Sequence, residues 1–391
     1  MHSTNILIIT PSYPDEGNKT IGSIFVKRQI QELKKYVENI YVVVPVSYYA
    51  KLISLNTRRY SKSYSYDNVK VFYVNTIPSL ILSKLKPFRG LRYTSQFSAI
   101  ERLIESECLE IDLIHAHFSN PSGILASMFK KKYGYKYLIT VHENSNWFRE
   151  EYNSNDNYII NSWRSADTLI RVNNVDLPRL REYNTHSLYI GNGFSPNYKP
   201  MSKDSVRWML KLPKDIKVLF GFGILSKRKG YHHLIVAMKR LREKYSNLFC
   251  YIAGVGPEYD NLQKQITNEG LSDCCYLLGF LPDEEIQLWL NAADLFILPS
   301  EAESFGIVQI EALACGTPVI AFRNDGSETV LVSDKYGLIC DENSANGLER
   351  AISSGLEKEW DETEILKYSD NFTWAAITTD ILKTYHKVLK K

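Results

Sequence analysis

Residues 292–321, AADLFILPSEAESFGIVQIEALACGTPVIA, contain a complete strand–helix–strand pattern. The apolar run LFIL is followed by a polar turn, then by a segment of helix-forming residues, and then by the second apolar run VIA. Short apolar runs of this kind are typical of parallel strands that are covered on both faces. The pattern therefore predicts an α/β fold, with a helix that begins at about Phe305.

The same alternation recurs in both halves of the chain. In the N-terminal half we predict a helix at 24–35 and strands at 5–9, 41–46, 111–115, 137–141 and 168–172. In the C-terminal half we predict helices at 233–244 and 283–293 and strands at 218–222, 248–253, 275–278, 295–298 and 318–321. Two such series predict two doubly wound parallel sheets, and the turn-rich segment 191–200 predicts the linker between them.

These series suggest a division into domains. We expect a Rossmann-like domain at 1–190, a second at 191–370, and a helical segment at 371–391 that packs back on the first domain. Doubly wound sheets bind ligands at the carboxyl ends of their strands. Two such domains that face each other across a cleft would suit a reaction between two substrates.

Composition restricts the class of protein. The 391 residues are 44% hydrophobic and 23% charged, and the net charge of +3 gives no support for a nucleic-acid partner. No C-x-x-C pair occurs among the six cysteines, so we expect buried, reduced thiols in a cytoplasmic protein. Neither a signal-peptide pattern nor an apolar run of the roughly 18 residues that a membrane span needs is found.

Two segments carry chemical signals. In ESFGIVQIE, Glu303 and Glu311 flank a predicted helix start whose N–H groups would stabilise an anion, and an acid among apolar helix residues needs a partner such as a ribose diol. In GFGILSKRKG, residues 221–230, the cluster of three basic residues can neutralise phosphate, although the segment lacks the ending of a Walker A loop. A solvated helix face and a solvated basic loop are the alternatives.

Taken together, these motifs resemble the retaining glycosyltransferases of family 4, which have the GT-B fold. The resemblance covers nearly the whole chain and is densest from residue 221 to 340. The segments that carry it are the G-x-L-x-x-x-K-G turn at 223–230, IAGVGPEYDNL at 252–262, LLGFLPDEE at 277–285, AADLFILPS at 292–300, the E-x7-E pair at 303 and 311, DGSETV at 325–330 and YGLIC at 336–340.

The resemblance implies a role for each matching position. On the donor side, Lys229 with Arg228 would hold the diphosphate, Glu311 would hold the ribose, and Glu303 would lie beside the transferred sugar. By the same resemblance, further donor contacts fall on Gly22, Phe280, Leu281, Ser304, Phe305 and Gly306. In the N-terminal half, His142 would face the reacting sugar, and His115 and His117 would lie on the acceptor side.

Two positions depart from the family pattern. Ile224 stands where the family usually has arginine, so the resemblance leaves open whether Arg228 compensates, and Asn173 replaces a common serine. Taken alone, His142 after a strand is more typical of a satisfied core histidine. His115 and His117 lack a third ligand at a zinc-site spacing, and no D-x-D triplet occurs, so we expect no metal and no cofactor.

The sequence therefore predicts transfer, with retention, of a hexosyl or N-acetylhexosaminyl group from a nucleotide diphosphate sugar to a glycan or lipid-linked acceptor. UDP is the first choice for the nucleotide and GDP the second. The segment PSYPDEGNKTIGSIFVKRQ, residues 11–29, resembles the branch that builds surface polysaccharides. A nucleotide-sugar epimerase of the same fold and an inactive binding subunit are the alternatives.

One further segment suggests a partner. Residues 51–97 hold nine basic residues, one acidic residue and many aromatic side chains, although the whole chain has a net charge of only +3. Basic and aromatic residues together suit an anionic lipid surface, at about 1 kcal/mol for each well-placed cation. We therefore expect peripheral binding at the cytoplasmic face of a membrane, and a solvated basic surface is the alternative.

Overall fold

The structure is a computed structural model of the chain, and it describes residues 3–18, 22–47, 62–76 and 89–390. The chain divides into two compact units. Unit 1 comprises Met1–Gly191 together with Ile377–Lys391, and unit 2 comprises Asn192–Ala376. The second unit is thus inserted, along the chain, between two parts of the first.

The described part of unit 1 is built on one sheet of eight strands. The strands are β1 (Asn5–Ile9), β2 (Asn39–Ser47), β3 (Tyr64–Tyr66), β4 (Val69–Thr76), β5 (Leu113–His117), β6 (Lys136–Val141), β7 (Thr168–Arg171) and β8 (Ser187–Tyr189). Their order is β3-β4-β2-β1-β5-β6-β7-β8, and only the pairing of β3 with β4 is antiparallel. The order in which the chain adds strands therefore reverses between β1 and β5, and this is the point at which a doubly wound sheet opens a ligand site.

Helices cover the sheet of unit 1. They are α1 (Ile24–Leu33), α2 (Arg89–Ser106), α3 (Ile124–Tyr133), α4 (Ser145–Asn153), α5 (Asn157–Ser165) and α6 (Leu177–Tyr183). The core between sheet and helices is almost fully closed to solvent and is centred on large side chains such as Phe129, Phe148 and Trp163. Strands buried on both faces need continuous apolar sequence, and β1 shows this with NILII.

Unit 2, all of which the structure describes, has a six-stranded, fully parallel sheet. Its strands are β9 (Lys217–Phe222), β10 (Leu248–Ala253), β11 (Cys275–Gly279), β12 (Leu295–Leu298), β13 (Val319–Ala321) and β14 (Gly337–Ile339). The order β11-β10-β9-β12-β13-β14 is the 3-2-1-4-5-6 order of a Rossmann fold. The switch point therefore lies between β9 and β12.

Helices lie before, between and after these strands. They are α7 (Lys203–Met209), α8 (Tyr231–Lys244), α9 (Tyr259–Asn268), α10 (Asp283–Ala292), α11 (Ile307–Ala314), α12 (Asp325–Val330), α13 (Ala345–Glu357), α14 (Glu362–Ser369) and α15 (Trp374–Lys390). The last of these begins in unit 2, and its residues from Ile377 onward belong to unit 1.

The structure confirms the predicted α/β class and every predicted strand to within two residues at either end. The prediction missed β3, β4, β8 and β14, which are short or interrupted by polar residues. It also placed the helix start at Phe305, whereas α11 begins at Ile307. Gly306 delays the helix because its φ of +79° is left-handed.

Part of the basic segment 51–97 is described, and its residues take part in the fold of unit 1. The hydroxyls of Tyr64 and Tyr73 donate to main-chain carbonyls in the segment that follows β1, and Tyr93 is buried. Arg89 forms an ion pair with Asp156 at 2.6 Å. Several basic residues that were predicted to contact a membrane lie outside the described residues, namely Lys51, Arg58, Arg59, Lys84 and Lys86.

Two further expectations concern the thiols and the membrane. Five of the six cysteines are buried free thiols, as expected, but Cys108 is exposed because it lies in the turn after α2 with a φ of +49°. Among the described residues, no helix is both long enough and apolar enough to cross a membrane.

Candidate active site

The loop after β9 forms a tight turn at the switch point of unit 2. It ends in one 3-10 turn, Lys227–Lys229, and then in Gly230, whose φ is +69°. A Cβ atom on Gly230 would lie 1.9 Å from the carbonyl oxygen of Pro299, and a Cβ on Gly254 would lie 1.9 Å from that of Gly223. The ends of β9, β10 and β12 therefore approach so closely that only glycine fits at these two positions.

A buried ion pair joins this turn to the loop after β12. The ammonium of Lys229 donates to Oε1 of Glu303 at 2.6 Å, and the Ser300 hydroxyl donates to the same oxygen at 2.7 Å. The guanidinium of Arg228 lies 3.5 Å from that oxygen and donates to the carbonyl of Ala302. Lys229 and Glu303, both of which the sequence assigned to the donor side, are thus in direct contact.

Neighbouring charges and hydrogen bonds favour the ionised form of Glu303. Burial alone would raise the pKa of the Glu303 carboxyl, but the charges of Lys229 and Arg228, with the hydrogen bonds from Lys229 and Ser300, hold that pKa below its usual value. The side chains of Lys229 and Glu303 are only 11% and 12% exposed. A phosphate that approaches this turn therefore meets a cation that is fixed in place and shielded from water.

The segment Ser304–Gly306 leads from the ion pair to α11. Phe305 is buried, and its ring packs edge-on against Phe372 with centroids 5.9 Å apart. A Cβ on Gly326, at the start of α12, would lie 2.8 Å from the main-chain carbon of Phe305 and 2.9 Å from the Cβ of Glu303. The close approach of α12 restrains the segment Ser304–Gly306, whose backbone the sequence assigned to the donor. This segment lies at the positive, N-terminal end of α11.

Glu311 lies on α11 and is buried, as its apolar neighbours indicated. Burial, followed by the charge of Glu311, raises the pKa of the Cys315 thiol one helical turn later. The second acid of the E-x7-E pair is therefore inside the unit and is held by the helix that begins next to Glu303.

Three exposed apolar side chains follow three neighbouring strands of unit 2. Ile224 after β9, Val255 after β10 and Phe280 after β11 are 68%, 54% and 63% exposed. Because β11, β10 and β9 are adjacent and parallel, their carboxyl ends meet at one edge of the sheet. Leu281, half-buried, follows Phe280. This exposed apolar edge lies beside the turn at Gly223–Gly230, named the phosphate turn after the role that the family resemblance implies, and it suits the flat face of a nucleobase.

In unit 1, three histidines meet at the carboxyl ends of β5 and β6. The imidazole of His115 contacts the Tyr385 hydroxyl at 2.6 Å through Nδ1 and the Thr140 hydroxyl at 2.7 Å through Nε2. His117 stacks on His115 with ring centroids 4.4 Å apart, and its Nδ1 lies 2.9 Å from Nε2 of His142. Both ring nitrogens of His115 are thus engaged, so its contribution is to position His117.

The histidines are neutral at pH 7. Burial lowers the pKa of His117 to about 3, and it lowers those of His115 and His142 well below the usual value. Nε2 of His117 is buried and has no hydrogen-bond partner among the described residues. Phe25 of α1, three residues after Gly22, packs on the His142 ring at 4.7 Å. The structure thus brings the Gly22 segment and the histidines together.

A buried arginine holds the backbone on either side of His142. Nη1 of Arg171 donates to the carbonyls of Val141 and Glu143, each at 2.8 Å, and Nη2 donates to Asp176 at 3.0 Å. Arg171 and Asp176 are fully buried. Asn173, the departure from the family serine, accepts from the Asp176 backbone N–H at 2.9 Å. This arrangement fixes the main chain from which the His142 side chain projects.

Two buried acids complete this region. Oε1 of Glu143 accepts from the Ser119 backbone N–H at 2.6 Å, and burial raises the pKa of the Glu143 carboxyl. Burial, followed by the charge of Glu143, raises the pKa of the Glu151 carboxyl above its usual value. Arg171, Val255 and this acid pair were not predicted from the sequence. Val255 could have been found from its position, because it follows β10 by two residues, as Ile224 follows β9.

Comparison with known protein families gives a match to part of the chain. Residues 202–372 match the model of the family described as glycosyl transferases group 1. This range contains the phosphate turn, the ion pair and the E-x7-E helix of unit 2.

Relatives and solved structures extend the likeness to most of the chain. The putative teichuronic acid biosynthesis glycosyltransferase TuaC of Bacillus subtilis is 27% identical over 89% of this chain and 88% of its own. An uncharacterized glycosyltransferase of Methanocaldococcus jannaschii is 24% identical over 83% and 88%. The crystal structure of Anabaena HepE in complex with UDP matches with a TM-score of 0.75 and 20% identity, over 98% of this chain and 100% of that one. This likeness confirms the predicted GT-B fold.

Proposed function

We propose that the chain is a glycosyltransferase of the glycosyl transferases group 1 family, whose model its residues 202–372 match, and that it acts with retention on a nucleotide diphosphate sugar. The transferred group is a hexosyl or N-acetylhexosaminyl group, and the acceptor is a glycan or a lipid-linked glycan in surface polysaccharide synthesis. The observation that carries the proposal is the buried Lys229–Glu303 pair at the switch point of a Rossmann sheet.

Donor binding follows from the chemistry of this pair. The donor diphosphate displaces Glu303 as the partner of the Lys229 ammonium, and Arg228 on the same turn adds a second charge in place of the arginine that Ile224 replaces. Glu311 accepts hydrogen bonds from the ribose hydroxyls, and the apolar edge formed by Ile224, Val255 and Phe280 takes the base. UDP is the proposed nucleotide, and the UDP bound to the structurally similar HepE supports it.

The transfer step needs little proton chemistry from the protein. The bond between the anomeric carbon and the phosphate oxygen breaks, and a bond to the acceptor oxygen forms on the same face. The acceptor proton passes to the leaving phosphate, whose growing charge Lys229 and the positive end of α11 stabilise. These groups meet the phosphate charge without a metal ion, and we propose that transfer is metal-independent.

Unit 1 is assigned the acceptor side. His142 keeps the role toward the transferred sugar that the family resemblance implies, and neutral His117 supports it through their 2.9 Å contact. The ring of His115 stacks on the ring of His117 and so positions it. The name of the relative TuaC supports a surface polysaccharide such as teichuronic acid as the type of acceptor.

A donor screen tests the proposal. Thermal unfolding is followed with UDP, GDP and their hexose and N-acetylhexosamine conjugates, because a bound ligand stabilises by RT ln(1 + [L]/Kd). At 100 times Kd the gain is about 2.7 kcal/mol, which is easily measured. Nuclear magnetic resonance of the product then gives the anomeric configuration. Inversion would refute retention, and donor conversion without acceptor would favour the epimerase.

The proposal includes peripheral binding to an anionic membrane through residues 51–97. Sedimentation with neutral and anionic vesicles at low and high salt tests it. Lys84→Glu with Lys86→Glu should release the protein, whereas the matched reversals Lys214→Glu and Lys264→Glu in unit 2 should not. Arg89 is left intact because its reversal would break the ion pair with Asp156. Equal binding to both vesicle types would refute the proposal.

A further inference from the structure

Three side chains with metal-binding atoms lie together in unit 2, outside the Lys229–Glu303 pair. His232 and His233 belong to the first turn of α8, and Glu301 lies in the loop after β12. One ring nitrogen from each histidine and a carboxylate oxygen of Glu301 all lie within 4.8 Å of one another. We propose that His232, His233 and Glu301 form a binding site for one zinc ion, with water as the fourth ligand.

The two imidazoles are already directed to one place. Successive residues of a helix normally point about 100° apart, yet the ring centroids of His232 and His233 are only 4.0 Å apart. The ring of Phe322 packs edge-on against His233 at 5.5 Å, and the carbonyl of His232 accepts from the Gln265 amide at 3.0 Å. Neighbouring elements therefore restrain both the ring and the helix turn that carry the ligands.

Glu301 brings the third ligand from a separate loop that is also restrained. Its backbone N–H donates to the carbonyl of Arg228 at 2.9 Å. Its carboxylate is on an exposed residue, so side-chain rotation can bring it closer to the histidines. Tetrahedral zinc with bonds of about 2.0–2.1 Å needs ligand atoms roughly 3.3 Å apart. Rotation of the exposed Glu301 side chain and of the two half-buried imidazoles would have to close the remaining distance between the ligand atoms.

The types of side chain in the cluster favour zinc. Two imidazoles and one carboxylate are a common zinc set, whereas magnesium and calcium prefer all-oxygen sites.

The position of the site gives it a structural effect. A zinc ion bound here would link the start of α8, which directly follows Lys229 and Gly230, to the loop that carries Glu303. It would therefore stabilise the phosphate turn against local unfolding, without touching the residues assigned to the donor. Occupancy stabilises the unit and leaves the chemistry of transfer to the protein side chains.

Calorimetric titration of the full chain, stripped of metal by a chelator and free of any sugar nucleotide, tests this inference. We expect one zinc ion per chain and a higher melting temperature on binding. His232→Gln and Glu301→Gln should each weaken zinc binding at least tenfold, and circular dichroism checks that both variants are folded. His386→Gln, an exposed histidine in unit 1, and Cys108→Ser, the exposed thiol, should bind zinc as the wild type does.

Each other outcome overturns the site. Zinc affinity that is equal in the wild type and in His232→Gln would place the metal elsewhere, as would its loss in Cys108→Ser. Magnesium that binds as tightly as zinc would indicate only attraction to a carboxylate. Because the titration contains no donor and measures no transfer, its failure would not affect the proposed function, and a failure of the donor screen would not affect the site.

Discussion

Replacing Lys229 with methionine removes one charge and keeps most of the side-chain volume. The lost ammonium lies 2.6 Å from Glu303, and both side chains are nearly shielded from solvent. Arg228 compensates only in part, because it lies 3.5 Å from the same oxygen with its side chain 40% exposed. Losing one such charge at a leaving group raises the barrier by about 3 kcal/mol. At 1.36 kcal/mol for each factor of ten, kcat/KM should fall about 150-fold.

The assay is release of nucleoside diphosphate at varied donor concentration. Lys227→Met is the matched control, because this lysine is exposed on the same 3-10 turn. We expect the control to stay within about twofold of the wild type, as surface substitutions usually do. Wild-type kcat/KM in folded Lys229→Met, or equal losses in both variants, would refute the assignment of the leaving-group charge to Lys229.

Stability gives a second measure of the same pair. Because the folded-state pKa of Glu303 is depressed, its stabilising contribution is present above the unfolded value of about 4.3 and is lost as pH falls through the folded value. Lys229→Met leaves this carboxylate buried beside Arg228 alone, at a cost of about 3 kcal/mol at pH 7. Urea unfolding should show the gap between variant and wild type shrink below pH 4. A gap that stays constant would contradict the account of the pair.

Four further predictions concern the rest of the site. Glu311→Gln should weaken UDP binding by about 2 kcal/mol, because the bond to the ribose loses its charge; calorimetry with UDP measures this, and unchanged affinity in a destabilised variant would make Glu311 structural. Phe280→Ala should raise the donor KM several-fold, at about 1 kcal/mol for one lost contact with the base, with kcat unchanged in steady-state assays. Arg171→Met should lower the free energy of unfolding by about 3 kcal/mol in urea, because two carbonyls and Asp176 lose a buried donor. Chelation with EDTA should leave transfer nearly intact; full loss that Mn²⁺ or Mg²⁺ restores would contradict metal independence.

The sequence predicted elements whose signal is local. The ten strands that were predicted are mainly apolar runs, and the turn at Gly223–Gly230 and the E-x7-E pair are read directly from residue order. The strands β3 and β4 were missed because YSY and VKVFYVNT mix polar and apolar residues, and the basic residues around them suggested a surface. The start of α11 was misplaced because the left-handed backbone at Gly306 is set by the packing of its loop.

Contacts between distant parts of the chain could not be predicted in the same way. Arg171 resembles any residue at the end of a strand, and its role depends on carbonyls 28 and 30 residues away. The contact of His117 with His142 requires the register in which His117 pairs with Thr140 on β6. The cluster of His232, His233 and Glu301 combines a helix start with a loop, and neither segment alone has the spacing of a metal motif.

The interrupted chain of unit 1 has a consequence for synthesis on the ribosome. All of unit 2 is translated before the residues from Ile377 onward that complete unit 1. Until then, the imidazole of His115 is without the Tyr385 hydroxyl that it contacts in the finished protein. Unit 2 can therefore fold while unit 1 still lacks its last helix, so the two units are completed in the reverse of the order in which their synthesis begins.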